Sequence, residues 1–108
     1  MGLMDEQLFQ RRVEESLDEL YQRLAKASDE HDFDIDFNNG TLTVEFEEPS
    51  TRFVVSPNSP VRQIWVSANV RSFKLDWRDE AGFVLGDQTL AELMAEQIGL
   101  HLGESVAV

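Results

Sequence analysis

The chain has 108 residues, of which 42% are hydrophobic, and its net charge is −12 at pH 7. This length supports one hydrophobic core, so we predict a single domain over residues 1–108. The negative charge argues against nucleic acid as a partner, and the absence of cysteine excludes disulfides and thiolate metal sites.

An amphipathic helix is predicted first, from about Asp5 to Ala27. Its apolar residues recur at every third or fourth position, as on one face of a helix: Phe9, Val13, Leu17, Leu20 and Leu24. The first residues do not have the composition of a leader peptide, and no apolar run is long enough to span a membrane. These features predict a cytoplasmic protein that makes no membrane contact.

The stretch SDEHDFDIDF, residues 28–37, combines high acidity with regular alternation. It holds five carboxylates between Asp29 and Asp36, and acidic residues alternate with apolar ones over Asp32–Phe37. The alternation predicts a strand with one buried face and one wet face. Carboxylates two residues apart on the wet face would lie roughly 7 Å apart and repel each other by about 0.6 kcal/mol in water. Such a row is either merely solvated or binds positive charge.

The following segments predict a sheet and a second helix. Asn39-Gly40 is typical of a type I′ turn and leads into a second strand at Thr41–Glu47. Further short strands are predicted at Thr51–Ser56, Arg62–Ala68, Ser72–Trp77 and Gly82–Leu85. Thr89 and Glu92 then form a capping box at the start of a helix. This order predicts an α+β fold, a two-layer α-β sandwich with an antiparallel sheet of five to six strands and both helices on one face.

The two tryptophans are predicted to lie on opposite faces of the sheet. Ile64 and Val66 should face the core, so Trp65 between them should face water. It lies near Arg62 in residues 49–75, which contain four bases and no acid, whereas residues 1–48 carry a net charge of −10. Trp77 alternates with the core residues of its own strand and is predicted to be buried.

The sequence contains no recognisable catalytic motif. His31 and His101 are far apart and neither has the spacing of a metal ligand, although His31 lies beside the acidic row and is a candidate ligand there. No glycine-rich loop joins a strand to a helix. The residue pattern alone therefore predicts an acidic surface opposite an aromatic and basic sheet face.

Several motifs taken together resemble one known family. They are the helix FQRRVEESLDELYQRL, the acidic hairpin DFDIDFNNGTLTVEF, the strand PVRQIWVSA, the pair Asp76-Trp77 and the last helix TLAELMAEQ. In this combination and order they resemble the frataxin family, and the final GLHLGESVAV resembles its bacterial, CyaY-like branch. The resemblance covers the chain from end to end.

This resemblance implies a non-enzymatic role as an iron-binding regulator or iron donor of iron–sulfur cluster assembly. Iron, as Fe²⁺ or Fe³⁺, would bind weakly to an acidic ridge that also suits other divalent cations. The ridge maps onto seven carboxylates: Asp18, Glu19, Asp29, Glu30, Asp32, Asp34 and Asp36. The implied partners are the cysteine desulfurase and the iron–sulfur scaffold protein, met through the acidic ridge and through a sheet face that maps onto Gln63 and Trp65. Arg62 is added as a candidate contact because it lies beside them in the sequence. The chain is expected to be a monomer without iron.

Two other functions remain open at this point. One is a ferroxidase or iron-storage activity of the clustered carboxylates, although the sequence lacks the Glu-x-x-His motifs of a buried di-iron centre. The other is an acidic protein-interaction module without a metal role.

Where the family usually has further acids near the end of the first helix, this chain has Gln22, Arg23, Ala25 and Lys26.

Overall fold

The computed structural model describes residues 5–47 and 50–108. Residues 1–4 and 48–49, which belong to the predicted domain 1–108, lie outside the described residues. The elements in chain order are α1 (Glu6–Ser28), β1 (Asp34–Asn38), β2 (Thr41–Glu47), β3 (Ser50–Asn58), a 3-10 turn (Ser59–Val61), β4 (Gln63–Ala68), β5 (Arg71–Arg78), β6 (Gly82–Leu85), β7 (Gln88–Thr89) and α2 (Leu90–Leu102).

The strands form one antiparallel sheet in the order β1-β2-β3-β4-β5-β6-β7, with α1 and α2 packed on one face. The predicted α+β sandwich is confirmed, but the sheet has seven strands rather than five to six. The additional strand β7 is only two residues long and pairs Thr89 with Val84. Two residues are too few to produce an alternating pattern, so the sequence alone does not reveal this strand.

The core lies between the helices and the inner face of the sheet. The apolar stripe of α1 is buried along its whole length, from Phe9 to Ala27. Across the sheet, Leu42 lies opposite Val55, and Val55 lies opposite Val66, so one row of inner-face residues runs through three strands. Both helices of the described residues pack on the inner face, and the opposite, outer face of the sheet is largely polar.

The helix ends and the first hairpin follow from local sequence. The side chain of Asp5 accepts a hydrogen bond from the backbone N–H of Leu8 at 2.8 Å, which caps α1. The predicted capping box of α2 is present. Asn39 and Gly40 have positive φ angles of 54° and 77°, as a type I′ turn requires.

β1 begins at Asp34, two residues later than predicted. The backbone N–H of His31 still bonds the carbonyl of Ala27, and that of Phe33 bonds the carbonyl of His31. The chain is therefore still turning at Asp32, which cannot join the ladder with β2.

The predicted orientation of the two tryptophans is confirmed, with one correction. Trp65 lies on the outer face and is 37% exposed. Trp77 lies on the inner face, where its ring contacts Phe83 at 5.2 Å between centroids. It is only partly buried, because it packs at the margin of the core, where the guanidinium of Arg12 covers the ring at 5.3 Å.

The segment after α2 folds back over the helices. Gly103 ends α2 with a φ of 73°, and the side chain of Glu104 then contacts His31. The segment packs so closely that a Cβ atom at Gly99 would lie 2.8 Å from the backbone oxygen of Glu104. Within residues 5–47 and 50–108, no helix is both long and apolar enough to cross a membrane.

Candidate functional site

The strand part of the ridge lies on β1, at one edge of the sheet. Asp34 and Asp36 are exposed and point to the outer face, while Ile35 between them packs toward the core. Asp34 lies directly opposite Glu45 of β2. Like charges that face each other across a ladder are destabilising, so these two carboxylates weaken the pairing of β1 with β2.

The connection between α1 and β1 supplies the next carboxylates. Asp29 is the C-cap residue of α1, and Glu30 and Asp32 follow it in the turn that leads to β1. All three side chains are exposed. They therefore lie beside the start of β1 and extend its acidic row along the edge of the molecule.

The two ridge carboxylates of α1 face in different directions. Asp18 borders a shallow groove with Phe37 and Gly40, so it lies close to the β1–β2 hairpin. Glu19 instead lines the groove between α1 and α2, where its carboxylate is 3.7 Å from the guanidinium of Arg23. The structure therefore places Asp18 beside the β1–β2 hairpin on its helix side, away from the outward-facing strand carboxylates, and Glu19 on another side of α1.

Most of the ridge carboxylates have no partner of opposite charge. Among the residues that the structure describes, none donates a hydrogen bond to the side chains of Asp29, Glu30, Asp32, Asp34 or Asp36 or forms an ion pair with them. The described residues also contain no group of three or more histidine, aspartate or glutamate side chains that converges on one point. The ridge is consequently an open row of oxygen ligands, which suits weakly held hard cations.

His31 lies within the ridge but is directed away from it. Its Nδ1 atom contacts Oε2 of Glu104, in the segment that follows α2. The side chain is only 18% exposed. The structure therefore ties His31 to the C-terminal segment, whereas the neighbouring carboxylates point to solvent.

The second candidate region surrounds Trp65 on the outer face. We call Gln63, Trp65, Lys74 and Asp76 the Trp65 face. The indole Nε1 of Trp65 donates a hydrogen bond to Oε1 of Gln63 at 2.9 Å, and Nε2 of Gln63 donates one to Oδ1 of Asp76 at 2.9 Å. The ammonium of Lys74 lies 4.9 Å from the centre of the Trp65 ring, within the range of a cation–π interaction. Every polar group of this face that borders Trp65 is thus engaged.

Arg62 is not part of the Trp65 face, although it is close in sequence. Its guanidinium lies 5.8 Å from the ring of Phe9, a core residue of α1, and donates a hydrogen bond to the backbone oxygen of Ser59. Its φ of 54° places it in the left-handed region, at the end of the 3-10 turn. The side chain of Arg62 therefore turns toward α1 rather than toward Trp65, and its part in partner contact stays a prediction.

The acidic strand and the Trp65 face share the same side of the sheet. Asp36 lies opposite Thr43, Thr43 opposite Val54, and Val54 opposite Ser67, which is two residues from Trp65. Since neighbouring strands are about 4.8 Å apart, β1 and β4 are separated by roughly 14 Å. A single partner surface could therefore cover both regions.

Lys74 and Asp76 are functional candidates that the sequence reasoning missed. They are cross-strand partners of Trp65 and Gln63 respectively. Their alternation with the buried Leu75 could have placed them on the outer face. The pairing of β4 with β5 in this register is the information that the sequence pattern did not contain.

Comparisons with known proteins agree with this geometry. A profile of the frataxin-like domain matches residues 2–104. A protein of Azotobacter vinelandii named iron-sulfur cluster assembly protein CyaY is 34% identical over 104 residues, which cover 88% of this chain and 94% of that protein. A protein of the same name from Pseudomonas aeruginosa is 37% identical over 73 residues, covering 66% of this chain and 67% of that protein. The solved structure of frataxin from Psychromonas ingrahamii superposes with a TM-score of 0.81 at 18% identity, over 96% of this chain and 97% of that chain, and so has the same fold.

Proposed function

Because this chain belongs to the frataxin-like family, in its bacterial CyaY-like branch, we propose that it acts in iron–sulfur cluster assembly as an iron-binding regulator and iron donor. In this role it binds iron as cargo and docks on the complex of the cysteine desulfurase with the scaffold protein. The names of its relatives support the assembly role, and the residues of the ridge and the Trp65 face support the finer assignment.

The observation that carries the proposal is the row of exposed carboxylates without partners along one edge of the molecule. A row of this kind repels itself, and none of its carboxylates from Asp29 to Asp36 forms an ion pair with a described residue. Carboxylate oxygens without a fixed cage bind hard cations weakly and release them readily, as an iron donor requires. The same field attracts a basic surface on a partner protein and raises the rate of encounter.

The two regions divide the work of docking. The ridge supplies long-range attraction, because its charges are solvated and many. The Trp65 face supplies a short-range anchor, because an aromatic ring on a rigid sheet buries a large area at low entropic cost. We therefore assign the desulfurase contact to the ridge and the scaffold contact to the Trp65 face.

The experiment that tests iron binding is a titration with Fe²⁺ under anaerobic conditions, followed by amide NMR. We expect selective broadening of residues 29–36. Replacing Asp32 and Asp34 by asparagine should lower the iron stoichiometry, whereas His31→Ala should not. The matched control is the pair Glu80→Gln and Asp87→Asn, which removes the same charge from turns near the opposite edge of the sheet.

The outcomes separate the three candidate functions. Selective broadening that disappears in the Asp32 and Asp34 variant, and survives in the control, supports iron binding at the ridge. Uniform or absent broadening leaves an interaction module without a metal role. In a separate aerobic assay, oxygen consumption with turnover of Fe²⁺ would instead support a ferroxidase. A reconstituted cluster-assembly assay then measures whether the protein slows or accelerates the desulfurase.

A further inference from the structure

The hydrogen bonds of the Trp65 face form a chain with a defined direction. Gln63 lies opposite Asp76 in the ladder between β4 and β5, and Trp65 lies opposite Lys74. The side chain of Gln63 bridges along its own strand to Trp65 and across the ladder to Asp76, with both hydrogen bonds at 2.9 Å. The register of the two strands thus places three polar side chains in series.

The chemistry of the three groups permits only one arrangement. An indole N–H can only donate, and an ionised carboxylate can only accept. The amide of Gln63 has one end of each kind, so its NH₂ group must face Asp76 and its oxygen must face Trp65. If the acceptor at position 76 were removed, the amide of Gln63 would keep only its bond to the Trp65 indole, and the pair would lose its tie to β5.

We propose that Asp76 is a positioning residue for docking: acting through Gln63, it holds the Trp65 indole in one orientation before the partner arrives. The inference rests on the proposed function insofar as Trp65 is the anchor of the docking face. A side chain that is already ordered loses less entropy on binding, which increases affinity without adding a contact.

The same geometry indicates what kind of surface fits this face. The indole N–H and the oxygen of Gln63 are already satisfied by each other, so the partner meets Trp65 through its ring. Lys74 beside the ring presents a positive charge, whereas the carboxylate of Asp76 on the same face already accepts a hydrogen bond from Gln63. The matching surface therefore presents an apolar side chain to the indole and a carboxylate to Lys74.

The test uses the two indole N–H resonances, which serve as probe and internal control in one spectrum. Trp77 donates its Nε1–H to Asp79 at 2.9 Å, a bond that does not involve Asp76. We expect Asp76→Ala to lower the heteronuclear NOE of the Trp65 indole and to speed its exchange with water, with Trp77 unchanged. Asp76→Asn retains an oxygen acceptor and should resemble the wild type. Gln63→Met should reproduce the effect of Asp76→Ala.

The functional readout is binding of each variant to the reconstituted desulfurase–scaffold complex. Asp76→Ala should weaken binding about threefold to tenfold, comparable to the cost of ordering one flexible side chain, and Asp76→Asn should restore it. An unchanged Trp65 NOE in Asp76→Ala, or equal losses in the alanine and asparagine variants, would overturn the positioning role. If the wild type does not bind the complex at all, the proposed partner is refuted, while the NMR comparison still decides the role of Asp76.

Discussion

The ridge and the Trp65 face lie on the same side of one sheet but are built in opposite ways. Along β1 and the preceding connection, five exposed carboxylates have no partner among the described residues. Around Trp65, each polar side chain is bonded to its neighbour. The ridge therefore acts through a negative electrostatic field, which attracts any cation. The Trp65 face instead acts through the fixed arrangement of its side chains.

This difference has a consequence for how each region contributes to the fold. The charged edge opposes folding slightly, because like charges face each other on β1 and β2. The Trp65 face is nearly neutral toward folding, because exposed hydrogen bonds contribute little net free energy. Substitutions can therefore separate residues kept for function from residues kept for stability.

The largest expected effect distinguishes the two tryptophans. Trp77→Ala should lower the free energy of unfolding by about 3 kcal/mol, because it removes a ring packed on Phe83 at the margin of the core. Trp65→Ala should change it by less than about 1 kcal/mol, because the ring lies on the outer face. Urea denaturation of both variants measures the difference. Equal losses would mean that Trp65 is a structural residue and that the docking assignment loses its basis.

The next prediction concerns the segment that ties down His31 beside the ridge. Gly99→Ala should lower the free energy of unfolding by about 2 kcal/mol, because the new Cβ would collide with the backbone oxygen of Glu104. Hydrogen exchange should increase in residues 103–108 and around His31, while β4 and β5 remain protected. Uniform loss of protection across the sheet would show that the segment supports the whole fold rather than the ridge end.

Much of the fold could be predicted from the sequence, because its signals are local. Helical periodicity, the Asn39-Gly40 turn and the capping box at Thr89 each act within a few residues and determine α1, the first hairpin and α2. The start of β1 could not be predicted, because backbone bonds from the end of α1 decide it. The two-residue strand β7 depends entirely on its pairing with β6.

The site was predictable to a different extent. The parity of β4 was enough to place Trp65 on the outer face. The roles of Lys74 and Asp76 depend on the register between β4 and β5, which parity within one strand does not define. The direction of the Arg62 side chain depends on a left-handed backbone conformation, which is uncommon for arginine and has no sequence pattern here.

The β1–β2 hairpin and the β4–β5 hairpin also differ in their turns, and this difference predicts a smaller change in the free energy of unfolding. Asn39-Gly40 closes β1 and β2, whereas Asn69 and Val70 close β4 and β5 with φ angles of 50° and 56°. A left-handed conformation is unfavourable for a β-branched residue, so Val70→Gly should raise the free energy of unfolding by about 0.5 to 1 kcal/mol. Val70→Ala keeps the unfavourable φ and should gain less. A loss of stability in Val70→Gly, measured by thermal unfolding, would contradict this account of the turn.

The smallest expected effect bears most directly on the ridge. Asp34→Asn removes a charge that directly faces Glu45, whereas Asp36→Asn removes one that faces Thr43. Both substitutions should raise the melting temperature at low ionic strength, and Asp34→Asn should raise it more than Asp36→Asn. The corresponding gain in the free energy of unfolding should be at most about 1 kcal/mol. Salt should shrink the gain, because the Debye length is about 10 Å at 0.1 M.

The same two substitutions should slow association with the desulfurase, and this slowing should also fade with salt, because a long-range field governs the encounter rate. Stopped-flow association rates and thermal unfolding over a range of salt concentrations measure both effects on the same protein samples. Lower stability in either variant would mean that the carboxylate makes a structural bond in the hairpin. Higher stability with an unchanged association rate would mean that the row is only a solvated edge, so that the partner recognises the Trp65 face instead. Opposite changes in stability and association rate from one substitution are what a charge retained for function, at the expense of folding, should produce.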